Sequence, residues 1–245
     1  MQNGLLRVLH FEGLLGYQYI RTTHGKQFTL YSYHGGANGW KVAIVLEELS
    51  LSYETIYLDF GKQEHKAPEY TKYNPNGRIP TLIDHHNGDF VIWESCAIIL
   101  YLVEKYDKDN KLYVTDFNER ALVTQYLFFQ ASGQGPYFGQ AMWFNNYHPE
   151  KIPTAIDRYK NEVIRVFGVL ETILTGKNWL VGDKYTIADL SFITWNLVID
   201  VGLLDGFGSF NMEKDFPLVL KWHRALCEIP SVKRSLALRA KLMAQ

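Results

Sequence analysis

Cysteine is nearly absent: Cys96 and Cys227 are the only two, far apart and in neither a CxxC nor a zinc-ligand spacing. That argues against a disulfide framework or a structural zinc, points to a reducing compartment, and reads both thiols as plain core groups. An excess of one charge is missing too. With a formal net charge of −1, nothing marks the chain as an electrostatic binder of nucleic acid or of an anionic membrane. No apolar run approaches the roughly 20 residues needed to span a bilayer. The opening stretch, MQNGLLRVLHFEGLLGYQYIRTTHGKQ, lacks a basic segment followed by an unbroken apolar one, so no signal peptide is read and the cytoplasm is expected. Internal repeats and low-complexity tracts are also absent. What is plentiful is aromatic: 16 Tyr, 14 Phe and 6 Trp in 245 residues, enough to build a large core and line a pocket. The length suits one large domain or two smaller ones.

The first half alternates strand and helix signals. Phe28-Thr-Leu-Tyr-Ser-Tyr33 is rich in β-formers, and His34 to Gly39 reads as a turn. Trp40 to Leu49 has helical spacing of its apolar residues, and Tyr53 to Leu58 is a second strand. A short helix is expected over Lys66 to Lys72. Ile79 to Ile83 and Phe90 to Trp93 form two strands joined through Asn87-Gly88, a tight-hairpin signal. Ser95 to Tyr106 is a strongly apolar helix, so the order is β-α-β-α-β-β-α. Asp107 to Asp116 is polar and irregular, and no convincing strand follows it. Residues Ile156, Tyr159, Val163, Val166, Phe167, Leu170 and Leu174 share one stripe of a long helix. Thr186-Ile-Ala-Asp189 is a capping box. Phe216-Pro217 starts another helix, and Pro230 separates it from a last one.

Three features fall where such a sheet brings its loops together. Asn38-Gly39 opens the first helix, where unpaired N–H groups and the positive dipole end attract an anion such as a thiolate. The Asn38 amide is able to donate to sulfur and hold its pKa down; read alone, Asn38 is equally an N-cap. Ile79-Pro80 begins a strand, a position that suits a residue with no N–H. A cis bond there would turn the Ile79 amide and carbonyl toward a peptide-like ligand; the ordinary alternative is a trans proline. Glu94-Ser95 starts the apolar helix. Ser95 suits a carboxylate and Glu94 an ammonium, together an amino-acid head group, although capping alone also accounts for the pair.

The order of these sites, with the capping box in a helical second half, resembles the cytosolic glutathione transferases over roughly residues 27 to 240. Asn38-Gly-Trp-Lys-Val-Ala-Ile-Val-Leu46, Gly61-Lys-Gln-Glu-His-Lys-Ala-Pro-Glu69, Asn74-Pro-Asn-Gly-Arg-Ile-Pro80, Ile92-Trp-Glu-Ser95 and Trp179-Leu-Val-Gly-Asp-Lys-Tyr-Thr-Ile-Ala-Asp-Leu190 narrow it. They are similar to fungal transferases related to the yeast nitrogen-regulatory prion protein and to bacterial nu-class transferases. The resemblance implies an α+β thioredoxin-like N-terminal domain followed by an all-α C-terminal domain. Its divisions are an extension over 1–26, a glutathione-binding domain over 27–107, a linker over 108–117 and a helical domain over 118–245. It implies glutathione as co-substrate without a metal, a homodimer, and a small electrophile or disulfide as partner. Asn38 then contacts the sulfur, His65 reaches the glycine carboxylate with Arg78 nearby, Ile79 pairs with the cysteinyl unit beside Pro80, and Glu94 with Ser95 hold the γ-glutamyl head. Gly36-Ala37-Asn38 stands where relatives often carry Thr-Pro-Asn or Ala-Pro-Asn, so this loop lacks a threonine hydroxyl.

The function expected is activation of glutathione as a thiolate for disulfide reduction or conjugation. The alternative is a catalytically weak module that holds a partner protein, as in the yeast relative, although this chain has no Asn/Gln-rich prion segment. Tyr31, Ser32 and Tyr33 are rival sulfur partners, rated below Asn38 because strand packing explains them. Phe129, Tyr137 and Trp143 are candidates for the acceptor pocket, and each is equally a core residue.

Overall fold

A computed structural model describes residues 25–244. The reading of the first residues as an extension without a signal falls almost wholly outside them. Strand β1 (Phe28–Ser32) is an inner strand, buried on both faces, which is why it reads as β-formers without strict alternation. It pairs in parallel with β2 (Tyr53–Tyr57), from Phe28 opposite Tyr53 to Ser32 opposite Tyr57. On its other side it pairs antiparallel with β3 (Thr81–Asp84), Leu30 facing Leu82. Strand β4 (Phe90–Trp93) adds antiparallel to β3, giving the order β2-β1-β3-β4.

Helix α1 (Ala37–Glu48) starts before the expected Trp40, because Gly36 takes the extended N-cap conformation with no side-chain bond. Asn38 therefore lies inside the first turn, and the N-cap reading of that residue is corrected. Trp40, Val42, Ile44, Val45 and Leu46 are all buried, since the sheet covers one side of α1 and the helical half the other. The β3–β4 connection is also not the tight two-residue turn expected at Asn87-Gly88. Asp84 is fully buried and accepts from the Tyr101 hydroxyl at 2.6 Å, from the Tyr106 hydroxyl, and from the His86 N–H at 3.0 Å. These bonds wind His85–Asn87 into a 3-10 turn that Gly88 ends at φ 68°.

Short α2 (Pro68–Thr71) precedes β3, and α3 (Ser95–Tyr106) follows β4. Between α3 and α4 (Phe117–Phe129) the chain is polar but not loose. The Asp107 carboxylate accepts from the Lys111 and Leu112 N–H groups, both at 2.7 Å, and turns Leu112 fully into the core. Helix α4 passes through a π turn (Gln130–Gln134) into α5 (Gly135–Met142), whose Pro136 has no N–H to give the ladder, and then into a second π turn (Trp143–Tyr147). Helix α6 (Pro153–Ile173) buries Val163, Val166, Phe167 and Leu170 of its expected stripe. Helix α7 (Ile187–Asn196) opens on the capping box, with both reciprocal bonds formed. Short α8 (Met212–Asp215), α9 (Pro217–Cys227) and α10 (Pro230–Met243) complete the chain.

One buried carboxylate ties the halves together. Glu48 at the end of α1 accepts from Ser231 of α10, from Tyr185 at 3.0 Å and from Lys111, with its ammonium 3.0 Å away. Burial alone would raise its pKa, but the bonds from Ser231, Lys111 and Tyr185 outweigh that and hold the carboxyl below its ordinary value.

Candidate active site

The site lies where the start of α1, the start of α3 and the kinked α4–α5 rod approach α7. Gly39 is required there by close packing: a Cβ on it would sit 1.9 Å from the Ser32 hydroxyl oxygen. Helix α1 is thereby pressed onto the end of β1, Ser32 is sealed beneath it, and Asn38 is left at the rim. The Asn38 carbonyl oxygen accepts from the Trp195 indole N–H of α7 at 2.9 Å. An indole N–H only donates, so it fixes which end of the amide faces it. The Asn38 NH2 group is left for another acceptor.

At the start of α3, Glu94 occupies the N-cap place with φ 72° and ψ 109°, a conformation rare outside glycine, and makes no capping bond. Ser95 is the first helical residue rather than the cap, which corrects the capping reading for both. Ser95 is only 6% exposed, and its oxygen accepts from the Lys41 ammonium at 3.0 Å. Its own hydroxyl hydrogen is therefore free to point outward. Lys41 is fully buried, also donates to the Gln130 side-chain oxygen Oε1 at 2.5 Å, and lies 3.6 Å from the Cys96 sulfur. Burial pushes its pKa down against the pull of Cys96 and Glu94. The chain of bonds continues from Gln130 to Gln134 at 3.2 Å and from Gln134 to Asn196 of α7 at 2.7 Å. The Lys41 ammonium is thus met by the Ser95 hydroxyl and the Gln130 side chain, beside the Cys96 sulfur.

A cavity of about 680 Å³ brings together Asn38, Arg78, Glu94 and Ser95 with Gln130, Trp143 and Trp195. His65, Ile79 and Pro80 do not line it. Ile79-Pro80 is cis, as expected, and Pro80 is buried. The Ile79 side chain packs on Gly36, where an added Cβ would come within 2.9 Å of its Cδ1. His65 stacks on Phe60 with ring centroids 4.0 Å apart, and its Nδ1 is buried without a partner among the described residues. Burial first, then the cations Lys66 and Arg78, lower its pKa, so the ring is held neutral. The Arg78 carbonyl is gripped by the Tyr70 hydroxyl at 2.5 Å and the Asn74 amide at 2.8 Å, and Arg78, itself exposed, lines the cavity.

The rival sulfur partners point elsewhere. Tyr31 packs on Tyr70 and Tyr73, and burial pushes its phenol up to about 12. Tyr33 stacks on Phe60 at 4.4 Å, and Ser32 is 2% exposed beneath Gly39. Of the acceptor candidates, Trp143 lines the large cavity and a neighbouring one of about 350 Å³. Phe129 packs against Phe192 at 6.0 Å, and Tyr137 lies against the core under Arg165. Sequence reasoning missed Lys41, Gln130 and Trp195. A lone lysine within the apolar run WKVAIVLEEL was the signal for the first; nothing marked the other two. Among the described residues, no group of three His, Cys, Asp or Glu is placed to hold a metal, and no helix is long and apolar enough to cross a membrane.

A mixed four-stranded sheet whose ligand-facing loops abut an all-helical half defines a two-domain protein of the thioredoxin-like class. Residues 26–104 match the glutathione S-transferase N-terminal domain family, and residues 137–239 match a glutathione S-transferase C-terminal domain family. Glutathione S-transferase 1 of Schizosaccharomyces pombe is 49% identical over 225 residues, covering 89% of this chain and 98% of that protein. The glutathione transferase URE2P6 of Phanerochaete chrysosporium, solved with oxidized glutathione, superposes with a TM-score of 0.85 at 58% identity, over 89% of this chain and 98% of that one. Ure2p5 of the same organism, cocrystallized with 1-(S-glutathionyl)-2,4-dinitrobenzene, gives 0.84 at 53% identity over 91% and 99%. The chain belongs to the glutathione S-transferase family.

Proposed function

We propose that this protein activates glutathione as a thiolate at Asn38 and passes the sulfur to a disulfide or to a small electrophile. The observation that carries the reading is the Asn38 amide, held by Trp195 with its NH2 group free, in the same cavity as Glu94 and Ser95. A free thiol has a pKa near 8.5; lowering it by roughly two units makes most of it reactive at pH 7. Glu94 takes the γ-glutamyl ammonium and Ser95 its carboxylate. The Ile79 main chain, just before Pro80, pairs with the cysteinyl unit, and Arg78 with His65 meets the glycine carboxylate. The thioredoxin-like unit is 27–107, and the helical unit 118–245 closes over it.

In disulfide reduction, the bound thiolate attacks one disulfide sulfur, and a new sulfur–sulfur bond to glutathione forms as the old one breaks. The leaving thiolate takes a proton, and a second glutathione thiolate then yields oxidized glutathione and the other thiol. Asn38 is neutral, so it stabilises the thiolate less than a cation would and leaves it a good nucleophile toward sulfur. Disulfide reduction should therefore match or exceed conjugation to an arene. The names carried by relatives at about half identity favour this enzyme over a partner-holding module.

The working form is a cytoplasmic homodimer with a detoxifying or redox role. An apolar hollow of about 360 Å³, walled by Cys96, Leu100, Leu127 and the 69% exposed Phe128, supports pairing across α3 and α4. Assaying wild type and Asn38→Ala with a neutral disulfide and a chlorodinitroarene tests the chemistry. Conjugation with no disulfide reduction would refute the mechanism, and intact rates in the variant would refute the role of Asn38.

A further inference from the structure

The neighbouring cavity holds a cation that the reaction above does not use. It is walled by Met142, Trp143, Trp195, Val198 and Val201, and one charged side chain, Arg239 of α10, reaches it. Arg239 has no acidic partner among the described residues. Its Nε is buried and bonds to nothing, and its longest reach, Nη2 to the Gly35 carbonyl, is a 3.5 Å contact. Burial lowers its pKa, and no carboxylate acts to restore it. Beside it, the hydroxyl of Thr194 is buried and also without a partner. A guanidinium half withdrawn from water beside an apolar wall is poorly satisfied, and a carboxylate would answer its charge with two parallel bonds. Trp195 lines both cavities and holds Asn38, and Gly35 lies in the loop that leads into α1, so the cation's cavity adjoins the one that Asn38 lines.

We propose that this cavity is an acceptor subsite for molecules that carry a carboxylate, with Arg239 as the residue that selects them and Thr194 as a second donor. The proposal rests on glutathione sulfur lying at Asn38. An acceptor that fits has an apolar body against Trp143 and Trp195 and an anionic end at Arg239. Acidic disulfides and arene carboxylates both meet that description, and their shared feature is the carboxylate.

Calorimetry on the full chain tests it, using S-(ω-carboxyalkyl)glutathiones of increasing chain length against the carboxamides of the same shape. The carboxylate should bind about tenfold more tightly at the length that reaches Arg239. That advantage should fall with added salt, vanish in Arg239→Gln, and persist in Arg239→Lys. Equal affinity of acid and amide at every length, or an undiminished ratio in Arg239→Gln, would overturn the assignment. Glutathione itself is titrated alongside. If it fails to bind, the sulfur-site reading falls, and Arg239 is read instead by tryptophan quenching with naphthalene-2-carboxylate against its carboxamide. A carboxylate preference that depends on Arg239 would sustain the subsite by itself, and no preference would end it.

Discussion

Replacing Trp195 by Phe keeps most of the ring against the cavity and removes one hydrogen bond, the 2.9 Å donation to the Asn38 carbonyl oxygen. Without it, the amide is free to turn its oxygen toward the ligand sulfur, which repels a thiolate. A neutral hydrogen bond of this kind contributes about 0.5–1.5 kcal/mol net. If all of it biases the amide toward its thiolate-donating orientation, the pKa of bound glutathione rises by about 0.4–1.1 units, at 1.36 kcal/mol per unit. Below that pKa the reactive fraction then falls by about 2.5- to 12-fold. The assay is ultraviolet difference absorbance of the bound thiolate against pH, run beside kcat/KM against pH. The expected outcome is an alkaline shift of both profiles by the same amount, with the high-pH plateau of kcat largely kept. Trp195 also walls the acceptor cavity, so an increase in acceptor KM is expected and does not bear on the argument. A plateau that drops while both profiles stay in place would show that Trp195 acts through packing alone.

Ser95→Ala removes the hydroxyl that faces the cavity and should weaken glutathione binding by about 1–3 kcal/mol, read by calorimetry; unchanged affinity in the folded variant would contradict the γ-glutamyl placement. Gly39→Ala forces a Cβ to within 1.9 Å of the Ser32 oxygen and should destabilise the fold by about 1–3 kcal/mol in urea unfolding, with a smaller cost in a Ser32→Ala background. Asp189 accepts from the Leu180 and Thr186 N–H groups and from Trp222, yet burial raises its pKa to about 6. A raised carboxyl pKa means that its stabilising contribution is full below the unfolded value near 3.9 and is lost as pH rises to about 6, a change of about 3 kcal/mol. Wild type should therefore lose stability relative to Asp189→Asn between pH 4 and 6, and a pH-independent difference would refute the shift.

Local rules carried much of this protein, and the residues that escaped them share a cause. The β-α-β-α-β-β-α order and the capping box follow from short-range chemistry: apolar spacing, strand formers and a Thr with an Asp at the right interval. The cis Ile79-Pro80 bond and the cluster of Asn38, Arg78, Glu94 and Ser95 were legible through the spacing of several motifs together, because each sits at a loop that this strand order brings to one edge. Helix starts were less legible. Gly36 became the N-cap in place of Asn38, and Glu94 in place of Ser95, since packing of α1 on β1 and of α3 behind β4 decided where each first turn begins. Trp195 and Gln130 could not be read locally. One lies in an apolar helix 157 residues from Asn38 and the other in a π turn 89 residues from Lys41, and their roles exist only as contacts across the fold. Sequence by itself determined which elements form and which residue types the site offers. Tertiary structure alone decided which end of the Asn38 amide faces the cavity, which lysine is buried beneath Ser95, and that Arg239 has no acidic partner among the described residues, because each depends on what distant helices bring within bonding distance.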